Sequence, residues 1–205
     1  MKTGFGGLPS GNAMKVFPLI ALLISLGASA EEIPLSTFVR FNTICATCHE
    51  GECSGRLRFQ SGVSAALGHM QRHLGKVTDI EASDLFGLIK YTKERCAHYP
   101  VSGKIPNDGI WTSADLAAWR SPQADAYFIP LGNMPAGKYR LHLSFNSPAQ
   151  GRLKITDQRF EPVADEALCP ESVQDVVFTV SANPHYLTLH SQGELSRMVL
   201  KRDIR

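Results

Sequence analysis

Basic runs are missing from this sequence. No cluster of Lys and Arg is long enough to follow a phosphate backbone, which argues against nucleic-acid binding. Long apolar runs are also scarce. The one at Val16–Leu26 is shorter than the ~20 residues a spanning helix needs. There is no internal repeat and no low-complexity tract. No nucleophile–base pair, no placeable pair of acids and no second cofactor motif is present, so nothing supports a catalytic role.

The scarce apolar run has its own meaning. Lys15 precedes it, small residues follow it, and Ala28-Ser29-Ala30 has the A-x-A form of a cleavage site. Residues 1–30 are therefore expected to be a secretory signal cut after Ala30, with Met14 a second candidate start. Cleavage removes Lys2 and Lys15 and no acid, leaving cations and anions in balance. The mature protein is expected to be exported or periplasmic, to span no membrane, and to sit where thiols oxidise.

The period of the hydrophobic pattern changes along the mature chain. Phe38, Phe41, Ile44 and Cys45 recur at helical spacing after Pro34 and Ser36. A second helix is expected over about 63–74, ended by Gly75. A third begins near Thr78, where Thr78-Asp79-Ile80-Glu81 fits a capping box. Turn chemistry fills Val101–Gly109, and Ser113–Trp119 reads as a short helix capped by Ser113. From Ala126 the period becomes two. Tyr139, Leu141, Leu143 and Phe145 alternate with Arg140, His142 and Ser144, and further short strands are expected at 152–156, 175–180, 186–190 and 195–201. The expected fold is α+β: an all-α domain over 31–103, a connector over 104–125, and an antiparallel β-sandwich or jelly roll over 126–205.

One short stretch carries most of the recognisable chemistry. Ile44-Cys-Ala-Thr-Cys-His-Glu-Gly-Glu-Cys53 holds three of the five cysteines. Cys45-x-x-Cys48-His49 is the order of c-type haem attachment. Two thiols three positions apart add to two vinyl groups of one porphyrin, and the next imidazole meets the iron. Other chemistries are open to the same residues. Zinc would want a second ligand pair. A thioredoxin-like CxxC would want a βαβ setting. A plain disulfide would leave His49 without a role.

On that motif, residues 35–99 resemble a small class I c-type cytochrome. The resemblance implies one covalent haem c on Cys45 and Cys48, His49 as proximal iron ligand, electron transfer as the function, and a redox partner protein. The distal ligand is expected from His69-Met70-Gln71-Arg72-His73, with His73 first, then Met70, then His69; His98 is the remaining histidine of the region. It also implies a Cys53–Cys96 disulfide that leaves Cys169 over, and Arg56 and Arg58 as weak propionate partners. A haem-based ligand sensor is the rival within the same cofactor.

The second half of the chain offers a different rival. Phe128–Leu143 and His185–Ser191 faintly resemble strands of galactose-binding jelly-roll modules. That likeness implies a β domain that recognises a glycan or a protein partner. Trp111, Trp119 and Tyr127 are stacking candidates for sugars, although aromatics at such a junction more often pack the parts together. His185 and His190 are expected on opposite faces of one strand, a poor metal pair.

Overall fold

Five short helices and seven strands make up the described part of the computed structural model, which covers residues 33–49, 62–101 and 106–203. The expected signal (1–30), Cys53, Arg56 and Arg58 lie outside the described residues, as does the side chain of His49. Helix α1 (Leu35–Arg40) runs into a π-helical turn, Phe41–Cys45, and then α2 (Ala46–His49). In the turn, Asn42 Nδ2 donates to Phe38 O at 2.9 Å and Thr43 Oγ1 to Val39 O at 2.8 Å. Side chains thus reach the carbonyls four residues back, where an ordinary α-helix would use only amides.

Helices α3 (Val63–Leu74) and α4 (Asp79–Arg95) follow the expected spacing. Gly75 ends α3 at φ 74, a backbone conformation that favours glycine. Thr78 caps α4, its hydroxyl accepting from Glu81 N at 3.2 Å. Downstream, Thr112 rather than Ser113 caps α5 (Ser113–Ala117). It forms a full capping box with Asp115.

The strands are β1 (Ile110–Thr112), β2 (Arg120–Ser121), β3 (Ala126–Met134), β4 (Gly137–Asp157), β5 (Pro162–Val180), β6 (Asn183–Ser191) and β7 (Leu195–Arg202). They pair antiparallel in the order β1-β7-β4-β6-β3-β2, with β5 alongside β4. The residues expected to be a connector therefore contribute β1 and β2 at the two ends of this order. Two of the expected short strands, 138–145 and 152–156, are halves of the 21-residue β4.

Strand β4 folds the sheet over. Its first half pairs with β7 through Tyr139↔Arg202 to Phe145↔Leu195. Its second half pairs with β6 through Gly151↔Ser191 to Asp157↔His185. The register slips between Ser144 and Gly151, the kind of irregularity by which a strand changes sheets. Gly151 is required there, because a Cβ would stand 1.9 Å from His190 O. The two layers meet across β3 and β7, where Leu195 N donates to Tyr127 Oη at 3.0 Å. Leu141, Leu143, Leu153, Ile155, Leu187 and Leu189 are fully buried between them.

The helices pack on the far side of the second layer. Phe38 of α1 meets Phe128 of β3 edge to face, with ring centroids 5.4 Å apart. Strand β3 is accordingly buried on both faces. Helical residues Phe38, Met70, Leu74 and Leu85 belong to the same apolar cluster as the strand residues. The expectation of an independent, cytochrome-like all-α domain is thus corrected, since Ile33–Arg205 forms one compact unit. Among the described residues, no helix is long and apolar enough to cross a membrane.

Candidate functional site

The helices leave a hole among themselves. A cavity of about 220 Å³ lies where the π-helical turn, α3 and α4 converge. Phe41, Ile44, Cys45 and Cys48 form one wall. Ala66, His69, Met70, His73 and Leu74 fall at i, i+3, i+4, i+7 and i+8 of α3 and form the second. Leu85, Phe86 and Ile89 of α4 close the third. Arg40 ties the walls together, donating to the carboxylate of Glu81, to Leu74 O and, at 3.2 Å, to Gln123 Oε1.

Five of the expected site residues therefore come together: Cys45, Cys48, His69, Met70 and His73. Met70 is buried, at 8% exposure, while His69 and His73 lie at the surface with rings 4.7 Å apart. Burial pushes the Cys45 thiol up to about 11, against the pull of Arg40, with Cys48 and Glu81 adding to the rise. A redox-active CxxC depends on a lowered thiol pKa, so a thioredoxin-like role is disfavoured. His49 ends α2. Cys53 lies outside the described residues, and the expected Cys53–Cys96 bridge with it. Cys96 itself is half-buried at the end of α4, at φ 48.

His98 belongs elsewhere. Its ring packs at a tilt against Phe160 and Tyr186, centroids 4.2 and 4.3 Å apart, and its Nε2 lies 2.9 Å from Thr156 Oγ1. Burial, reinforced by Lys154, drives its pKa down to about 3. Trp111, Trp119 and Tyr127 are buried, so they pack the molecule and present no stacking surface. His185 is fully buried and His190 half-buried.

The sandwich carries two polar surfaces that the linear pattern did not mark as sites. The first is a depression of about 490 Å³ beside the β4 bend. Asp125, Gln150, His190 and Gln192 line it around Gly151 and Leu168. Gln150 Nε2 donates to Gln192 Oε1 at 2.9 Å, and Asp125 stands 3.8 Å from the Arg120 guanidinium. Burial lowers the pKa of His190, keeping its imidazole neutral.

The second is the outer face of the first layer. Residues pair across β7, β4 and β5 in three rows: Lys201–Arg140–Val177, Val199–His142–Asp175 and Arg197–Ser144–Val173. Only the alternation within β4 was readable along the chain. The rest depends on register between distant strands. His142 Nδ1 and Asp175 Oδ1 are 3.0 Å apart in the middle row.

Comparison with known proteins yields structures but no family. No family model matches the chain, and no curated protein does. One similar solved structure is a family 35 carbohydrate-binding module from an environmental isolate, at 10% identity and TM-score 0.30 over 38% of this chain and 66% of that one. Another is the C-terminal family 6 carbohydrate-binding module of a marine laminarinase from Zobellia galactanivorans, at 14% identity and TM-score 0.29 over 38% and 72%. A family 115 4-O-methyl-α-glucuronidase with specificity for decorated arabinogalactans matches at 13% identity and TM-score 0.31, over 68% of this chain and 24% of its own.

These findings correct the expected resemblance to a class I c-type cytochrome. The three structures named above are two carbohydrate-binding modules and a glycoside hydrolase, not haem domains. Among the described residues, no group of three or more His, Cys, Asp or Glu could hold a metal ion. The expectations of cytochrome, haem and iron thus find no support in these comparisons or among the described residues, and no family name replaces them.

Proposed function

We propose that the β-sandwich is a recognition module whose ligand is a glycan. The depression beside the β4 bend carries this reading. Its volume of about 490 Å³ falls within the ~300–1,000 Å³ of small-ligand sites. Asp125, Gln150, His190 and Gln192 offer both donors and acceptors, as a ring of hydroxyls requires. The solved structures named above superpose too loosely to carry the reading, so it rests on these side chains. Export of the mature protein goes with it, since an exported module meets polysaccharide outside the cell.

Affinity electrophoresis of the full chain against neutral and acidic polysaccharides tests the proposal. Gln150→Ala and His190→Ala should each weaken binding by about tenfold, the scale of one or two lost hydrogen bonds. Failure of the protein to bind any glycan in the panel would overturn it.

A second reading concerns Cys45 and Cys48, and the apolar cavity favours it. Two thiols on one wall of that hole suit a covalently attached apolar group seated between α3 and α4. An engineered apolar cavity of ~150 Å³ already accepts an aromatic ring. Intact mass spectrometry of the exported protein reads the outcome. An added mass, absent in the Cys45→Ser/Cys48→Ser variant, is the expected result. An unmodified mass, or a Cys45–Cys48 disulfide, would sink this second reading. Haem c is the group that the Cys-x-x-Cys-His order led one to expect, and the pyridine haemochrome spectrum of the same sample identifies or excludes it.

A further inference from the structure

The outer face of β7, β4 and β5 carries more cationic than anionic side chains in its groove. Among the described residues, the side chains of Arg140, Arg197 and Lys201 have neither an ion-pair nor a hydrogen-bond partner, whereas that of neighbouring Lys138 is 3.9 Å from Asp203. The three cations border a groove of about 370 Å³ whose floor includes Ile110 and Val199. Arg197 and Lys201 are separated by about 13 Å along β7, four residues at ~3.3 Å each. Across the face, Val173 and Val177 of β5 are two of the three exposed large apolar residues among those described.

We propose that this face binds an acidic polysaccharide bearing carboxylates, laid across the three strands. The inference rests on the glycan reading of the sandwich and adds a surface separate from the depression at the bend. Charge complementarity selects an anion, because Arg140, Arg197 and Lys201 outnumber the single acid of the groove, Asp175. Asp175 then selects among anions. Ionised, it only accepts hydrogen bonds. A ligand made solely of acceptors would be repelled there, while a sugar acid brings hydroxyl donors to Asp175 and carboxylates to the cations. Single-stranded nucleic acid is a poorer fit. Its bases stack on aromatic side chains, and among the described residues the exposed large apolar ones are Ile80, Val173 and Val177.

The test uses the full chain, with polygalacturonate, its methyl-esterified form, a neutral galactan and single-stranded DNA as probes. Polygalacturonate should bind. Esterification, or the Arg140→Ala/Arg197→Ala pair, should weaken it by at least about tenfold. Raising salt from low to high ionic strength should weaken it as well. Asp175→Asn tests the hydroxyl contact and should weaken the sugar acid while leaving DNA unaffected or bound more tightly. The double variant should keep the wild-type circular dichroism, both side chains being exposed. Equal binding of the free acid and its ester, or an undiminished double variant, overturns the acidic-ligand inference while leaving the glycan reading intact. DNA bound as tightly as polygalacturonate overturns it also. Absence of binding to every glycan overturns both.

Discussion

The two apolar interiors of this molecule are built differently. Between the sheet layers, Leu141, Leu143, Leu153 and Ile155 are fully buried in regular register with β6 and β7. Among the helices, residues equally apolar surround a hole, and two thiols stand in its wall. The sandwich satisfies its backbone by strand pairing and its side chains by each other. Among the described residues, the helical part leaves space where the sandwich is close-packed. One interior is filled by its own side chains, and the other keeps a cavity among the described residues, the space that the second reading above would fill.

Truncation separates the two most sharply. Leu143→Ala should cost about 3 kcal/mol, because it opens a new cavity in a filled core. Ile89→Ala lines space that is already open, and Ile89 is only half-buried. It should cost below about 2 kcal/mol. Urea denaturation of both variants checks this. Equal losses would mean that the cavity is as tightly held as the sandwich. If a covalently bound group fills the hole, its removal should bring the two costs further apart, because Ile89 then loses a contact only in the loaded protein.

Much of this contrast was legible along the chain, though unevenly. The capping box at Thr78 and the apolar stripe Val63, Leu67, Met70 and Leu74 are local signals, and α3 and α4 follow them. The alternation of Tyr139 to Phe145 also gave the buried and exposed faces of β4 correctly. What failed depended on distance. Two expected strands are one, because nothing local shows that Ser147 and Pro148 lie inside a bend that continues the strand across a break in its pairing. Phe38 reads as a residue of a self-contained helical domain until Phe128, ninety positions away, is seen against it. At the site, the thiols were conspicuous as a motif. The cationic rows were not, because Arg140 meets Lys201 only through strand register.

A histidine probes the boundary between helices and sandwich. His98 is buried against Thr156, Phe160 and Tyr186, with its pKa held near 3. Above the ordinary value of about 6.5 it is neutral folded or unfolded, and stability is complete. Below that, the unfolded chain takes up a proton that the folded protein refuses. Stability should then fall by up to about 1.4 kcal/mol per pH unit until the folded pKa is reached. Urea midpoints at pH 7 and pH 5 measure the drop, which His185 and His190, also lowered by burial, share. His98→Gln should shrink it. An unchanged drop would show that His98 is not desolvated at this junction.

The smallest effect is expected where the geometry looks strongest. Arg152 makes two bonds to Asp165, Nε at 2.6 Å and Nη2 at 2.7 Å from the carboxylate oxygens. The pair raises the Arg152 pKa and lowers that of Asp165. Yet the guanidinium is open to water, and water supplies most of what the carboxylate supplies. Ions screen what remains, and holding two side chains in one geometry costs entropy. Arg152→Ala should therefore leave the urea midpoint unchanged within error at 0.15 M salt. A clear loss would mean that the β4–β5 edge is drier than its exposure indicates.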